Sequence, residues 1–120
     1  MTLKAHKSFI VLSLKKLAKV HGNTFVELVK QVLKNLIENP YPRNSRQEPL
    51  PKKSKLPQGL TFHKLEFKFS QGASGQIRLM YLVNTNTSVI TLVWIYTHEQ
   101  FVKRPDDKDL RSVIQEILED

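Results

Sequence analysis

The chain has 120 residues, 40% of them hydrophobic and 25% charged, and it contains no cysteine. A chain of this length can bury one hydrophobic core, which predicts a single domain over residues 1–120. The lack of cysteine excludes disulfides, thiolate zinc sites and a cysteine nucleophile. Because the sequence has no secretory leader pattern and no apolar run of about 20 residues, we expect a cytoplasmic protein without a membrane partner.

The charge is unevenly distributed along the chain. The formal net charge is +8 at pH 7, but from Asp106 onward six acids face two cations, which leaves +12 for residues 1–105. A body this basic attracts polyanions, so nucleic acid and acidic proteins are the leading partners. On charge alone, a solvated basic surface without a partner is an equal alternative.

The first third of the chain predicts a weak edge strand followed by a helical hairpin. Apolar residues recur at helical spacing from Ser8, the expected N-cap, to the stop signal at Gly22. A second helix runs from there to Pro40, and its apolar residues share one face, which we expect to pack on a sheet. These residues are Phe25, Leu28, Val29, Val32, Leu33 and Leu36.

Residues 40–59 hold five of the six prolines, several cations and almost nothing that needs burial. The pattern predicts a basic, proline-rich loop without regular structure, which either binds phosphate or is a flexible linker. Its candidate phosphate-binding residues are Lys52, Lys53 and Lys55.

Three strand patterns follow the loop. Leu65, Phe67 and Phe69 alternate with polar residues, and the run 76–84 alternates in the same way. The run 89–97 is apolar on both faces, which is typical of an interior strand. We predict an α+β fold in which the helical hairpin packs on one face of a small antiparallel sheet.

A short amphipathic helix is predicted over residues 106–120. Pro105 and the acids after it form a favourable helix start. The helix is expected either to dock on the protein's own basic surface or to remain a mobile tail.

An acid, a cation and an imidazole stand out among the strands. Glu66 and Arg78 lie opposite the apolar residues of their strands, so both should face away from the hairpin, on an exposed face. Glu66 shares its face with Lys64 and Lys68, two further candidate phosphate ligands, and His98 follows the third strand. A plain alternative is a solvated cross-strand ion pair beside an inactive histidine.

Two more polar residues fall on the apolar side of the strands. Alternation places Tyr81 in the core with a tethered hydroxyl and makes His63 a partly buried, satisfied histidine. We keep both as possible additional site residues.

Familiar catalytic signatures are missing from the sequence. There is no phosphate-binding glycine loop, HExxH or GxSxG, and the four histidines lack metal-ligand spacing. We therefore predict neither a metal nor a cofactor.

Three stretches resemble the RelE/ParE superfamily of toxins from bacterial type II toxin-antitoxin systems. FIVLSLKKLAK (9–19) is similar to the family's opening helix F-x-x-x-L-K-K-L, LEFKF (65–69) to the W-E-L-R-F strand, and RLMYLV (78–83) to R-L-V-Y-x-V. The resemblance covers nearly the whole chain, and its specificity comes from the order and spacing of the three stretches. It implies a RelE-like fold with the architecture of microbial ribonucleases.

The resemblance also implies an activity. Ribosome-dependent mRNA interferases of this superfamily cut the transcript in the ribosomal A site, with the RNA's own 2′-hydroxyl as nucleophile. By position, Glu66 corresponds to the base, Arg78 to the phosphate-stabilising arginine and His98 to the acid. Lys68 departs from the pattern, because the family usually has arginine there.

Other branches of the superfamily leave alternatives open. The chain could be a non-enzymatic toxin of the gyrase-inhibiting type, or a binding module that has lost activity. In every case the resemblance implies a cognate antitoxin as partner, and in the leading one also mRNA and the ribosome.

Overall fold

The computed structural model describes residues 1–119 and shows an α+β fold, a five-stranded mixed sheet with helices on both faces. The strands are β1 (Thr2–Ala5), β2 (Ser45–Gln47), β3 (Leu60–Lys68), β4 (Gln76–Asn84) and β5 (Val89–Thr97), in the order β1-β5-β4-β3-β2. The meander of β3, β4 and β5 is antiparallel throughout, as predicted.

The prediction of a purely antiparallel sheet is wrong at one edge. β1 pairs with β5 in parallel, with Thr2 opposite Val89 and Ala5 opposite Leu92. Side-chain alternation indicates which face a residue occupies but not the direction of its strand, so a four-residue strand filling an open edge gave no signal of its orientation.

The helices are α1 (Lys7–Phe9), α2 (Lys15–His21), α3 (Asn23–Glu38) and α4 (Asp107–Glu119). A π-helical stretch, Ile10–Leu14, joins α1 to α2, and Gly22, with a φ of +80°, reverses the chain into α3. The hairpin prediction is confirmed, but the N-cap is His6, whose side chain accepts a hydrogen bond from the Ser8 N–H.

The π-helical stretch compensates for the shortness of β1. β1 covers β5 only as far as Leu92, so the outward N–H of Ile95 has no strand partner. It donates instead to Ser13 Oγ at 3.2 Å, and that hydroxyl donates to Phe9 O at 2.8 Å. A side chain thus completes the hydrogen bonding of a buried sheet edge.

The first apolar core lies between the hairpin and the sheet. Helical and strand side chains interdigitate there and are almost completely buried, each contributing about 1.5–3 kcal/mol by leaving water. The largest are Phe9, Phe25, Leu36, Ile77, Leu79, Tyr81 and Ile90.

A second apolar core fills the other face of the sheet, beneath α4. Its members from the strands and from the helix are Phe62, Met80, Leu82, Val93, Tyr96, Leu110, Val113 and Ile114. The C-terminal helix is therefore neither a mobile tail nor a helix held mainly on a basic surface, because its apolar stripe packs on the sheet. Residue 120 of the predicted helix lies outside the described residues.

The segment 40–59 is more ordered than predicted. Ser45–Gln47 pairs with β3 as an edge strand, and Leu50 and Leu56 pack against the second core. Three residues are too few for an apolar alternation to be visible, and the surrounding prolines argue against a strand.

Within residues 1–119, no helix is both long and apolar enough to cross a membrane.

Truncation of a leucine tests the docking of α4. Leu110 is fully buried, whereas 36% of Leu118 on the same helix is exposed. We expect Leu110→Ala to lower the free energy of unfolding by about 2–5 kcal/mol. Leu118→Ala, the matched control, should cost less than about 1 kcal/mol. Equal effects in urea denaturation would mean that α4 is not packed on the sheet.

Candidate functional site

The register of β3 and β4 sets Glu66 directly opposite Arg78. Glu66 Oε1 lies 3.5 Å from Arg78 Nε, and 54% of the Glu66 side chain is exposed against 14% of the Arg78 side chain. Both side chains face away from the hairpin, as alternation predicted. The expectation of an exposed face is wrong for Arg78, because α4 and the segment after β2 cover much of that side.

A cavity of about 640 Å³ opens beside this pair. Its lining has five cations and two carboxylates, so it carries a positive formal charge and suits an anion. The charged lining residues are Arg46, Lys64, Arg78, Lys103, Arg104, Glu48 and Glu66.

The wall of the cavity is built around a buried carboxylate that the sequence analysis missed. Only 5% of the Glu48 side chain is exposed. Its oxygens lie 3.4 Å from Arg104 Nη1, 3.6 Å from Arg46 Nε and 3.8 Å from Lys64 Nζ. Three cations drawn from three segments thus converge on one acid, which compensates in part for its removal from water.

Two buried polar atoms in the lining lack hydrogen-bond partners in the protein. They are Glu48 Oε2, which has only the longer ion-pair contacts, and Arg78 Nη1. One is an acceptor and the other a donor, and leaving such groups unsatisfied costs about 1–3 kcal/mol each. A ligand that presents both a hydroxyl or amine and an anionic oxygen would satisfy them together.

Lys64 links the two carboxylates. Its Nζ lies 3.8 Å from Glu48 and 3.9 Å from Glu66, and its side chain is almost fully buried. Burial lowers the pKa of Lys64, and the Glu48 carboxylate opposes that shift. Of the five predicted phosphate-binding lysines, Lys64 is the one that lines the large cavity.

The other predicted lysines lie elsewhere. Lys52, Lys53 and Lys55 are exposed and do not line the large cavity. Lys68 is also exposed, and it lines a smaller neighbouring cavity. The basic loop therefore supplies the site with Arg46 and Glu48 rather than with the three lysines.

His98 stands at the end of β5, near the cavity but not in its lining. Its backbone N–H donates to Gln76 O, two residues before Arg78, which corresponds to about 7 Å along the strand. Its Nδ1 lies 3.1 Å from Val102 O, and Val102 lines the large cavity. Because a carbonyl only accepts, Nδ1 carries the proton, so in the neutral ring Nε2 is the free acceptor.

His63 and Tyr81 belong to the hairpin side of the sheet. Tyr81 is fully buried and its hydroxyl donates to Pro40 O at 2.7 Å. His63 stacks on Tyr81, and burial lowers the pKa of His63. Burial also raises the pKa of Tyr81. The structure does not bring these two residues into the cavity.

The start of α4 ties the wall of the cavity in place. Arg104 donates to Pro49 O at 2.6 Å and to Asp107 Oδ1 at 2.9 Å. The other oxygen of Asp107 accepts the Lys52 N–H at 3.1 Å, and Arg111 donates to Lys52 O at 2.9 Å. The helix that covers the sheet thus also fixes the segment that carries Glu48.

Two signals in the sequence could have found the missed residues. Arg46 and Glu48 alternate around Gln47 just before a proline, which is the pattern of a short charged edge strand. Lys103 and Arg104 form a basic pair directly before the predicted helix start. Neither signal resembles a catalytic motif.

Within residues 1–119, no three His, Asp or Glu side chains converge where they could hold a metal ion.

The chain has no significant match to any protein-family model, curated protein or solved structure.

The Asp107 contacts predict a pH-dependent contribution to stability. Hydrogen bonds from the Lys52 backbone and from Arg104 lower the pKa of Asp107 from its ordinary value of 3.8. A carboxyl group whose pKa is lower in the folded protein stabilises the folded state at pH values above its ordinary pKa. This contribution is lost as the pH falls through the lowered pKa of the folded protein. We expect Asp107→Asn to lower the urea midpoint at pH 6, with the difference from wild type shrinking below pH 3.8.

Asp109→Asn, in the same helical turn, is the matched control and should show a smaller difference at pH 6. A deficit of Asp107→Asn that stayed constant down to the acid transition would contradict the assigned contacts.

Proposed function

We propose that the protein is the toxin of a toxin-antitoxin pair and acts as a metal-independent endoribonuclease on mRNA, in the cytoplasm and on the ribosome. The observation that carries the proposal is the cationic cavity in which Glu48 Oε2 and Arg78 Nη1 are both buried without a hydrogen-bond partner in the protein. RNA offers the two groups that would satisfy them, a 2′-hydroxyl and a phosphate.

The reaction needs three things from the protein. A base takes the proton of the 2′-hydroxyl as that oxygen bonds to phosphorus, cations stabilise the charge on the phosphate, and an acid protonates the departing 5′-oxygen. The products are a 2′,3′-cyclic phosphate and a free 5′-hydroxyl. All of these steps can be carried out by side chains near the cavity.

Arg78 is assigned to the phosphate. Its Nε faces Glu66 at 3.5 Å, but Nη1 has no partner, so the guanidinium can contact a phosphate oxygen while it remains paired. Lys64, held between two carboxylates at the same wall, adds a second charge. Donors fixed in a largely buried site stabilise developing charge better than mobile ones in water.

Two carboxylates are available as the base. Glu66 is the one that the family resemblance indicates, and it is exposed enough to contact a substrate directly. Glu48 is buried and surrounded by cations, with one oxygen still open to a donor. We assign proton abstraction to Glu66 and the binding of a sugar hydroxyl to Glu48.

His98 is assigned as the acid. With Nδ1 donating to Val102 O, the ring is oriented, and as imidazolium it can donate from Nε2. A histidine side chain can either donate or accept a proton, which suits this role.

The surroundings fit a large polyanion. Residues 1–105 carry a formal charge of +12, far more than one phosphate requires. Ribosomal RNA and an acidic antitoxin segment are both partners that such a surface would attract.

Cleavage in a bacterial translation extract tests the proposal. We expect wild type to cut a reporter transcript, with 2′,3′-cyclic phosphate ends. His98→Ala should slow cutting by about 10²–10⁴-fold. Arg78→Met should slow it by about 10²–10³-fold. Melting temperatures would confirm that both variants fold.

The controls lie on the hairpin side of the molecule. His21→Ala removes a histidine there, and Lys30→Met matches the charge change of Arg78→Met on an exposed residue of α3. Both should cut like wild type. If wild type arrests translation with the transcript intact, the protein is a binding toxin instead; if it does neither, the toxin proposal is wrong.

A further inference from the structure

A second cavity, of about 320 Å³, adjoins the first and shares Glu66 and Arg78 with it. Its other lining residues are Asn44, Phe67, Lys68, Gln76 and Ile77. The volume lies at the lower end of the range of ligand sites, roughly 300–1,000 Å³.

The two cavities differ in chemistry. The larger one is lined by five cations, whereas the smaller one combines two carboxamides, two apolar residues and a single lysine beyond the shared ion pair. The larger cavity would bind a ligand mainly by neutralising its negative charge. The smaller cavity would bind one mainly through directional hydrogen bonds beside apolar surface. The first suits a phosphate and the second a planar group with a polar edge.

We propose that the smaller cavity is a nucleobase subsite, which selects the nucleotide next to the cleaved phosphate. The inference rests on the proposed ribonuclease function and extends it to sequence preference. Asn44 and Gln76 are the specificity-determining residues, because a carboxamide offers a donor and an acceptor to a base edge.

The position of the subsite follows from the register. Lys68 pairs with Gln76, two positions along the ladder from the Glu66–Arg78 pair and on the same face. Two residues of strand span about 7 Å, so the carboxamide of Gln76 lies about one nucleotide away from the phosphate ligand Arg78.

The carboxamides have free hydrogen-bonding capacity. Asn44 Nδ2 donates to Glu66 O at 2.6 Å, which fixes the side chain and leaves its Oδ1 as an acceptor. The backbone carbonyl of Gln76 accepts the hydrogen bond from the His98 N–H. This contact does not involve the side-chain carboxamide of Gln76. The same residue therefore borders the base subsite and holds the proposed acid in position.

Mapping of cleavage ends along a long transcript in the translation extract tests the subsite. Wild type should favour particular bases at one position next to the cut. Gln76→Ala should reduce that preference by about 5- to 100-fold, the range of a good carboxamide–base contact. The total cutting rate should fall by less than about tenfold, because the phosphate ligands remain.

Gln76→Glu is the second variant, since it keeps the shape of the side chain but replaces a donor with an acceptor. It should shift the preference toward bases that present an amino group. Gln31→Ala, an exposed glutamine on α3, is the matched control and should keep the wild-type pattern.

The outcomes separate the two claims. If wild type cuts with a base preference that both Gln76 variants preserve, or with none next to the cut, the subsite is wrong while the nuclease stands. If wild type does not cut, the proposed function and the subsite fall together.

Discussion

The pairing of β3 with β4 determines most of the structure. Nine consecutive residue pairs, from Leu60–Asn84 to Lys68–Gln76, fix which side chains face each core. In this register Leu65 meets Leu79 under the hairpin, and Glu66 meets Arg78 on the other face. A slip of β3 by one residue would turn Glu66 into the apolar core under the hairpin and Leu65 toward the polar cavity.

Burying charge on the α4 side of the sheet is costly, and the fold offsets that cost only in part. Glu48 and Lys64 are both more than nine-tenths buried, yet their ion-pair distances of 3.4–3.9 Å are longer than good charge-assisted hydrogen bonds. Apolar side chains of similar volume in place of these buried ion pairs would stabilise a fold equally well or better. Buried charged groups of this kind concentrate at functional sites, which agrees with a site that a ligand completes.

The structure also explains why α4 matters beyond its apolar stripe. Asp107 and Arg111 hold the backbone of Lys52, and Arg104 contacts Glu48 and Pro49. The cavity wall therefore depends on a helix far away in sequence. Loss of α4 would expose the second core and release the segment that carries Glu48 at the same time.

Alternation and helical spacing predicted the hairpin, the three long strands and the placement of Glu66 and Arg78 opposite the apolar residues. These succeeded because each element is long enough for its period to be visible. Glu48 was missed because it directly follows a strand of only three residues that lies among prolines. The docking of α4 was also not predictable, since an amphipathic stripe shows that a partner surface exists but not which one.

The placement of His98 shows a different limit. Its position after β5 could be predicted, but the carbonyl that accepts the hydrogen bond from its Nδ1 belongs to Val102, in a loop whose conformation no periodic pattern encodes. Likewise, Arg104 and Glu48 lie 56 residues apart, and only the folded chain reveals their contact.

The proposed function requires the cavity beside Arg78 to bind the phosphates of single-stranded RNA. The most direct test is the affinity of a fully 2′-O-methylated RNA oligonucleotide, which cannot be cleaved, measured by fluorescence anisotropy at several salt concentrations. Wild type should bind with an affinity that falls as salt rises. Arg78→Met should bind about 10- to 100-fold more weakly, as expected for a lost charged hydrogen bond. Lys30→Met should bind like wild type; equal affinities for all three proteins would contradict the account.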